Sequence, residues 1–493
     1  MKNCEAGAGK RRRLKTKNQA HRHSLNREVA MLEALERQRR LTLNQWKIVS
    51  AAILGDMLDF FDFFLIGYVL TFIVKEWHLS FMESGVILLA AGIGAIPGSF
   101  FWGWMADKIG RRKVFIMTAL NFSVATGIMA FTPDQYGWLI LSFFRFWVGV
   151  GVAGLNVVDL PLVQEFVPSS KRGFIGGLVT STISIGGALG AACGAYLGPT
   201  IGWRGLFLIG LLPAFFTLLI RAWVPESPRW LVRRGRREEA RKSIAWALQV
   251  DPATIEIPEA LPEFEHTPWR ELFKYPRSVA LVCLTGLAQT SGVGLALWAP
   301  TLLLLLLQTT PEEASFLMIW VGLSAFIGRI TCAWLADAMG RRGSGIFACV
   351  GGVVALIFAG HLGHLMIGSI SVFWLMLMAH AFFGGGAYAI IAPYMAEVWP
   401  AGLRASGMGL GYGIGNLGKI ISPLGLALIV GGGNFFKPAA SVGALVPAMY
   451  FLAFWAALAA AAFLILGIET KGRSIEEIDA AIGRPAAARL PAE

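Results

Sequence analysis

Twelve apolar stretches constrain this chain more than any other feature. They fall at 47–74, 84–105, 114–131, 137–165, 173–198, 203–223, 278–305, 314–336, 345–363, 371–397, 405–431 and 443–468. At 1.5 Å per helical residue, each is long enough to cross the ~30 Å hydrocarbon core of a bilayer, some with tilt. The composition agrees: 55% of the 493 residues are hydrophobic and 15% are charged, where a soluble protein carries about a quarter charged. The 58 glycines and 17 tryptophans suit close helix contacts and membrane interfaces. The expected fold is an all-α membrane protein, which excludes a soluble enzyme.

The net charge of +12 is a matter of placement. Of 43 Lys and Arg residues, 34 lie in the tails and in alternate loops, while the opposite loops hold only Lys75, Arg204 and Lys437. The positive-inside rule then puts both termini in the cytoplasm. The basic arm around Lys10-Arg11-Arg12-Arg13 reads as an anchor for anionic lipid rather than for nucleic acid, and 25–40 is expected to form one short juxtamembrane helix. No short apolar segment with a small-residue cleavage site follows, so a secretory signal is not expected. The cysteines Cys4, Cys193, Cys283, Cys332 and Cys349 lack metal-ligand spacing and read as small buried hydrophobes.

One long linker, 224–276, divides the spans six and six, and the two halves repeat. Ala106-Asp107-Lys108-Ile109-Gly110-Arg111-Arg112 returns as Ala336-Asp337-Ala338-Met339-Gly340-Arg341-Arg342. Pro161, Glu165, Pro168 and Arg172 return as Pro393, Glu397, Pro400 and Arg404, and Arg145, Gly149 and Gly151 as His380, Gly384 and Gly386. Ordered matches at near-constant offset indicate two parallel six-helix pseudo-repeats, an arrangement that places a site at the midplane between them. The expected organisation is a cytoplasmic N-terminal tail (1–45), a first bundle (46–223), the linker (224–276), a second bundle (277–468) and a C-terminal tail (469–493). Within the linker, Glu238 to Ile244 looks helical and the remainder a tether.

These residues resemble the major facilitator superfamily. Asp107-x-x-Gly110-Arg111-Arg112 is similar to its signature between the second and third helices. Glu165-x6-Arg172, Glu397-x6-Arg404, Pro225-Glu226-Ser227-Pro228-Arg229 and Glu469-Thr470-Lys471-Gly472-Arg473 resemble the cytoplasmic set of its sugar porters. Asp59-Phe60-Phe61-Asp62 is similar to the paired aspartates of its proton symporters for aromatic acids and metabolites. The resemblance implies a twelve-helix alternating-access carrier, with Asp107, Gly110, Arg111, Arg112, Glu165, Arg172, Glu226, Arg229, Asp337, Arg341, Arg342, Glu397, Arg404, Glu469 and Arg473 at a cytoplasmic gate. Pairs among them either close the gate between the halves or simply fix helix ends.

Ionisable residues at membrane depth cost at least ~2.5–3.5 kcal/mol each and are functional candidates by default. Asp56, Asp59 and Asp62 follow one another at i, i+3 and i+6, so they share one broad helix face. Asp59 or Asp62, and after them Asp56, is expected to take a proton, with Asp159 in the relay; the alternative is that each Asp is neutralised by a neighbouring arginine or caps a broken helix. For Arg145 the superfamily resemblance implies a role in proton relay or gating, and it alternatively pairs with Asp159 or Asp62. Lys419 has no counterpart in the first half and needs an anionic partner, either a substrate carboxylate or an aspartate across the cavity, unless it snorkels to the surface. Gln289, Asn416, His380 and Trp298 are expected beside it as substrate-binding residues, with His380 alternatively a neutral residue packed on glycines. Asn121 and Asn156 are further polar candidates for the lining, the Phe60–Phe64 run reads as packing, and Arg329 is expected to snorkel or pair on the cytoplasmic side.

The resulting expectation is a monomeric proton-coupled symporter of a small organic anion, an aromatic acid or monocarboxylate, in the bacterial inner membrane. Its partners are substrate, protons and lipid, without cofactor, metal or nucleic acid. The alternatives are a proton-coupled sugar or polyol transporter, and a drug or metabolite exporter. No His-Glu-x-x-His, Gly-x-Ser-x-Gly or Walker-type loop is present, which argues against an enzyme.

Overall fold

The computed structural model describes residues 40–255, 269–400, 403–431 and 444–471, together with Leu35 and Gln38. Most of the expected juxtamembrane helix, all but one residue of the N-terminal tail before Gln38, and Arg473 lie outside the described residues. The first half comprises α1 (Leu43–Glu76), α2 (Phe81–Ile109), α3 (Arg111–Met129), α4 (Gly137–Gln164), α5 (Ser169–Ser181), α6 (Ile183–Ala192), α7 (Gly198–Ile209) and α8 (Leu212–Trp223). The linker contributes α9 (Pro228–Arg233) and α10 (Arg237–Leu248). The second half comprises α11 (Pro276–Leu307), α12 (Pro311–Met339), α13 (Arg341–Leu362), α14 (Val372–Glu397), α15 (Arg404–Gly415), α16 (Gly418–Val430) and α17 (Leu445–Leu466).

Helix is the form these segments must take, because in hydrocarbon a backbone N–H or C=O has no partner outside its own segment. Capping boxes set three of the starts: Thr42 with Gln45, Ser80 with Glu83, and Thr310 with Glu313. Among the described residues, 10 segments are long and apolar enough to span a membrane. One of them, Phe174–Thr217, has 44 residues and makes two passes, turning where Gly202 leaves helical geometry at φ 65°. The 19-residue α3 falls short of that measure because it opens on Arg111, Arg112 and Lys113. Counting both, the chain makes twelve passes.

Two passes are broken, at equivalent places in the halves. The fifth breaks at Thr182, between α5 and α6, and the eleventh at Asn416–Leu417, between α15 and α16. Repeat alignment pairs Asn416 with Ser184, so each break lies within about two residues of its counterpart. Interrupted helices at matching positions point to a site between repeats.

The halves meet chiefly on the face away from the Gly-Arg-Arg motifs, where α2 packs on α16, α1 on α11, and α6 on α12. Glycine makes the approach possible: a Cβ on Gly67 would sit 2.8 Å from the Leu297 carbonyl oxygen, and one on Gly92 would sit 2.9 Å from that of Lys419. Trp298 seals this face. Its indole donates to the Pro423 carbonyl at 3.2 Å and stacks on Phe81 at 5.6 Å. On the motif face, α15 packs within its own half. The molecule is therefore closed on one face and open on the other.

The linker is more than a tether. Leu231, Val232, Ala240, Ile244 and Leu248 build a small core that also takes in Leu35. Asn44 Nδ2 donates to the Trp246 carbonyl at 2.7 Å, docking α10 on the first half.

A leucine at Gly67 has no room while the closed face is closed. The variant Gly67→Leu should therefore hold the halves apart there. A membrane-impermeant thiol reagent applied to that face should label a cysteine placed at Gln289 in this background, while protecting the same cysteine in the parent; equal labelling would refute the close-approach argument.

Candidate functional site

The aspartates of α1 organise the interior. Asp56, Asp59 and Asp62 are all buried, and each faces a different cation. Asp62 lies against Arg145 of α4 and accepts a 2.8 Å hydrogen bond from Thr126 Oγ1. Arg145, fully buried, donates from Nη2 to the Phe63 carbonyl at 3.2 Å. Asp59 is the acid that acts on Lys419 of α16. Phe63 stands between these cations, with its ring centroid 5.6 Å from the Arg145 guanidinium and 5.9 Å from Lys419 Nζ. Its neighbours Phe60 and Phe64 lie against it and against each other, and both also line a cavity between the halves, a role beyond the packing that the sequence predicts.

Asp56 forms the third arrangement. It is buried, as is Asp159 of α4, and the charges of Asp159 and of Arg329 of α12 both act on it. Arg329 neither snorkels nor pairs at the membrane surface, as the sequence led one to expect. It turns inward, 7% exposed, donates from Nη1 to the Thr180 carbonyl across the halves at 2.7 Å, and lies 4.4 Å from the Tyr388 ring.

Beside these pairs, between the halves, is a cavity of roughly 230 Å³. Its first-half wall carries Phe60, Phe64, Tyr68 and Ser184; its second-half wall carries Gln289, Arg329, His380, Tyr388 and Trp455. Tyr68 is held by a 3.0 Å bond to the Gly187 carbonyl, and His380 sits on Gly352 with Nδ1 at 3.4 Å from its carbonyl. Three buried polar atoms of residues on this wall lack a hydrogen-bond partner among the described residues: Arg329 Nε, Gln289 Oε1 and Trp455 Nε1. Among the described residues, the only cation on the wall is Arg329, set among apolar and aromatic surfaces.

The expected substrate set divides accordingly. Gln289 and His380 line the cavity, whereas Lys419 and Asn416 are not on its wall. Lys419 is turned to Asp59 instead. Trp298, expected as a cavity wall, is 2% exposed inside the closed face, because its indole is engaged with Pro423. Asn121 is likewise absent from the wall, and the Asn156 side chain lies outside what is described. Sequence reasoning missed Tyr388, Tyr412 and Trp455. The signal available was weak: 8 tyrosines in the whole chain, two of them inside glycine-rich spans.

The motif residues form two matching clusters, one per half. Arg111 pairs with Glu165, to which Ser227 also donates, and Glu226 accepts the Arg112 backbone N–H at 3.0 Å. Correspondingly, Arg341 pairs with Asp337 at 2.9 Å and lies 3.6 Å from Glu397, to which Thr470 donates. Glu469 accepts the N–H groups of Arg341, Arg342, Thr470 and Lys471. Partial burial works against its charge, yet those four donors hold the carboxyl below the usual glutamate range. Arg172 and Arg404 each bond a carbonyl five residues back, of Val167 and Trp399. Exposed Asp107 offers its carbonyl to the Trp230 indole at 3.0 Å, and Arg229 lies half-buried in α9. Among the described residues these pairs stay within their own half, which is what an open motif face leaves.

The family model described as "Sugar (and other) transporter" matches residues 47–482. The chain is 31% identical over 438 residues to the niacin transporter NiaP of Acinetobacter baylyi, covering 86% of this chain and 94% of that protein. It is 26% identical to the benzoate transport protein of the same organism over 415 residues, 81% of this chain and 86% of that one. Its fold is similar to the inward open conformation of the xylose transporter XylE from E. coli, with TM-score 0.70 and 21% identity, covering 89% of this chain and 99% of that chain.

Gly110 and Gly340 adopt φ 105° and φ 90° with extended ψ, a region essentially reserved for glycine. A Cβ there would meet the carboxylates of Glu226 and Glu469 at 2.3 and 2.4 Å. Gly110→Ala and Gly340→Ala should each destabilise the protein by about 1–3 kcal/mol, read as a lower melting temperature in detergent. Unchanged melting in both would refute the assignment.

Proposed function

The chain belongs to the sugar (and other) transporter family, with the fold of the major facilitator superfamily, and on that premise we propose that it carries a small unsaturated carboxylic acid together with protons. The observation that supports this reading is Arg329, among the described residues the one cation on the wall of a largely apolar and aromatic cavity between the halves. A guanidinium presents a planar fork of donors that matches a carboxylate, and Phe60, Phe64, Tyr68 and Trp455 offer faces for a planar body. Gln289 would hydrogen-bond a ring heteroatom or substituent, and His380 would border the far end of the cargo. A volume near 230 Å³ suits a molecule of about one ring.

The relatives named for niacin and benzoate carry acids of this kind by name. A sugar would bring no carboxylate to Arg329, whose Nε has no hydrogen-bond partner among the described residues, and so would not use the fork of donors that a carboxylate matches. The proton is to be carried by the α1–α4 carboxyl groups, and the halves rock about the cavity, the face shut by Trp298 opening as the motif face closes. Uptake into the cell as a monomer, with the motif face and both termini cytoplasmic in the bacterial inner membrane, completes the reading.

Reconstituted protein in proteoliposomes should accumulate labelled nicotinate or benzoate when an inward proton gradient is imposed, and should not accumulate xylose. Arg329→Met should lower acid uptake at least tenfold, equivalent to about 1.4 kcal/mol, with its melting temperature retained. Xylose accumulation without acid accumulation would overturn the anion reading.

A further inference from the structure

The two broken passes are closed by different means. In the first half the run Thr180-Ser181-Thr182 turns its hydroxyls back on the preceding turn. Thr180 Oγ1 donates to the Gly176 carbonyl at 2.9 Å, Ser181 Oγ to that of Gly177 at 2.6 Å, and Thr182 Oγ1 to that of Val179 at 2.6 Å. Hydroxyls bonded in this way compete with the helical ladder and bend or stop it, and α5 ends at Ser181.

The last four carbonyls of a helix have no partner within it. In α5 one of these, the Thr180 carbonyl, accepts from Arg329 Nη1 at 2.7 Å. The cation that closes this end therefore comes from α12, in the opposite half, and its charge complements the helix dipole. At the matching break of the second half, the Gly415 carbonyl that ends α15 accepts from the Thr290 hydroxyl of α11, in the same half. The repeats share the break but not its partner.

This contact fixes the guanidinium as well as the helix. Nη1 is held on Thr180, and the Tyr388 ring centroid lies 4.4 Å from the guanidinium carbon. Nε, on a side chain that lines the cavity, has no hydrogen-bond partner among the described residues. A guanidinium takes a carboxylate through two N–H groups along one edge. With Nη1 occupied by the carbonyl, the edge left for a carboxylate is that of Nε and Nη2. Holding a long, flexible side chain in place before the cargo arrives removes an ordering cost from binding.

We infer that the C-terminus of α5 is a positioning element of the anion site, in which the Thr180 carbonyl holds Arg329 so that its Nε–Nη2 edge meets the cargo carboxylate. The inference rests on the anion reading above, and adds a first-half backbone group to a site whose cation belongs to the second half. The hydroxyls of Thr180, Ser181 and Thr182 serve it indirectly, by ending the helix where the carbonyl is needed. The site is complete only while α5 and α12 meet at this break, so cargo and the contact between the halves stabilise one another.

The test weakens that one carbonyl. Replacing Ser181 by its α-hydroxy acid counterpart turns the amide after Thr180 into an ester, whose carbonyl is a poorer acceptor, and leaves every side chain as it is. Nicotinate affinity of the full chain in detergent should fall about three- to tenfold, as for a weakened hydrogen bond to a charged group. The same replacement at Thr180 removes an N–H from the same turn but keeps the Thr180 carbonyl an amide, and should leave the affinity unchanged. In Arg329→Met the ester at Ser181 should alter the remaining affinity by less than about twofold, because the two changes remove one interaction. Wild-type affinity in the Ser181 ester, or equal losses with and without Arg329, would overturn the inference and leave the anion reading intact. Failure of the wild type to bind nicotinate or benzoate would overturn the anion reading itself. If the ester protein does not fold, or Arg329→Met binds too weakly to measure, the guanidinium nitrogen resonances of the wild type decide. Those of Arg329, identified by their loss in Arg329→Lys, should show Nη1 and Nη2 resolved in the absence of cargo, and a single averaged resonance would overturn the inference.

Discussion

Three carboxyl groups on one buried helix face cannot exist without compensation, and the protein is arranged around supplying it. Each charge at membrane depth costs at least ~2.5–3.5 kcal/mol unless it is paired or neutralised. Asp56, Asp59 and Asp62 climb α1 at one helical turn or slightly less per step, about 9 Å in all. Their cations come from three other helices: Arg329 from α12, Lys419 from α16 and Arg145 from α4. Two of those helices belong to the opposite half. The electrostatic requirement of one helix therefore helps to fix how the two bundles face each other, and α1 is the axis on which they meet.

Packing supplies the second condition. The halves can close on one face only because glycines at Gly67 and Gly92 let backbones approach to van der Waals contact. Trp298 then fills what remains. On the motif face, acids and arginines are satisfied within each half, so that face is stable while open. Broken helices at Thr182 and at Asn416–Leu417 lie at equivalent points of the two repeats, bordering the space between them. Duplication thus supplies a symmetric frame, and the unmatched residues Asp59, Asp159, Arg329 and Lys419 make its interior asymmetric.

Much of this frame was legible in the chain. The long apolar runs, the six-and-six division and the repeated Gly-Arg-Arg motifs are local patterns, and local patterns survive into any tertiary arrangement. The aspartates stood out because charge in an apolar run is conspicuous. Lys419 stood out too, but its partner did not. Whether it meets a cargo or Asp59 depends on the rotation of α16 about its axis and on how α2 packs against it. Arg329 was misplaced for the same reason: a long side chain near a helix end reaches either the surface or the interior, and only the packing of α12 against α5 and α6 selects between them. Tyr388 and Tyr412 carried almost no signal, since a tyrosine in a span is ordinary until a charge is found beside it.

By itself the sequence determined that this chain is a twelve-pass helical membrane protein of two related halves, with basic residues on alternate loops and carboxyl groups in its interior. Hydropathy and charge are properties of each segment and need no neighbour to be read. Only the tertiary structure decided which acid faces which cation, that Arg329 rather than Lys419 lines the cavity, and that the motif pairs close within each half. Those outcomes depend on helix rotation and on contacts between residues hundreds of positions apart. They are set by the sum of packing and electrostatics across the whole interior, and no single segment contains that sum.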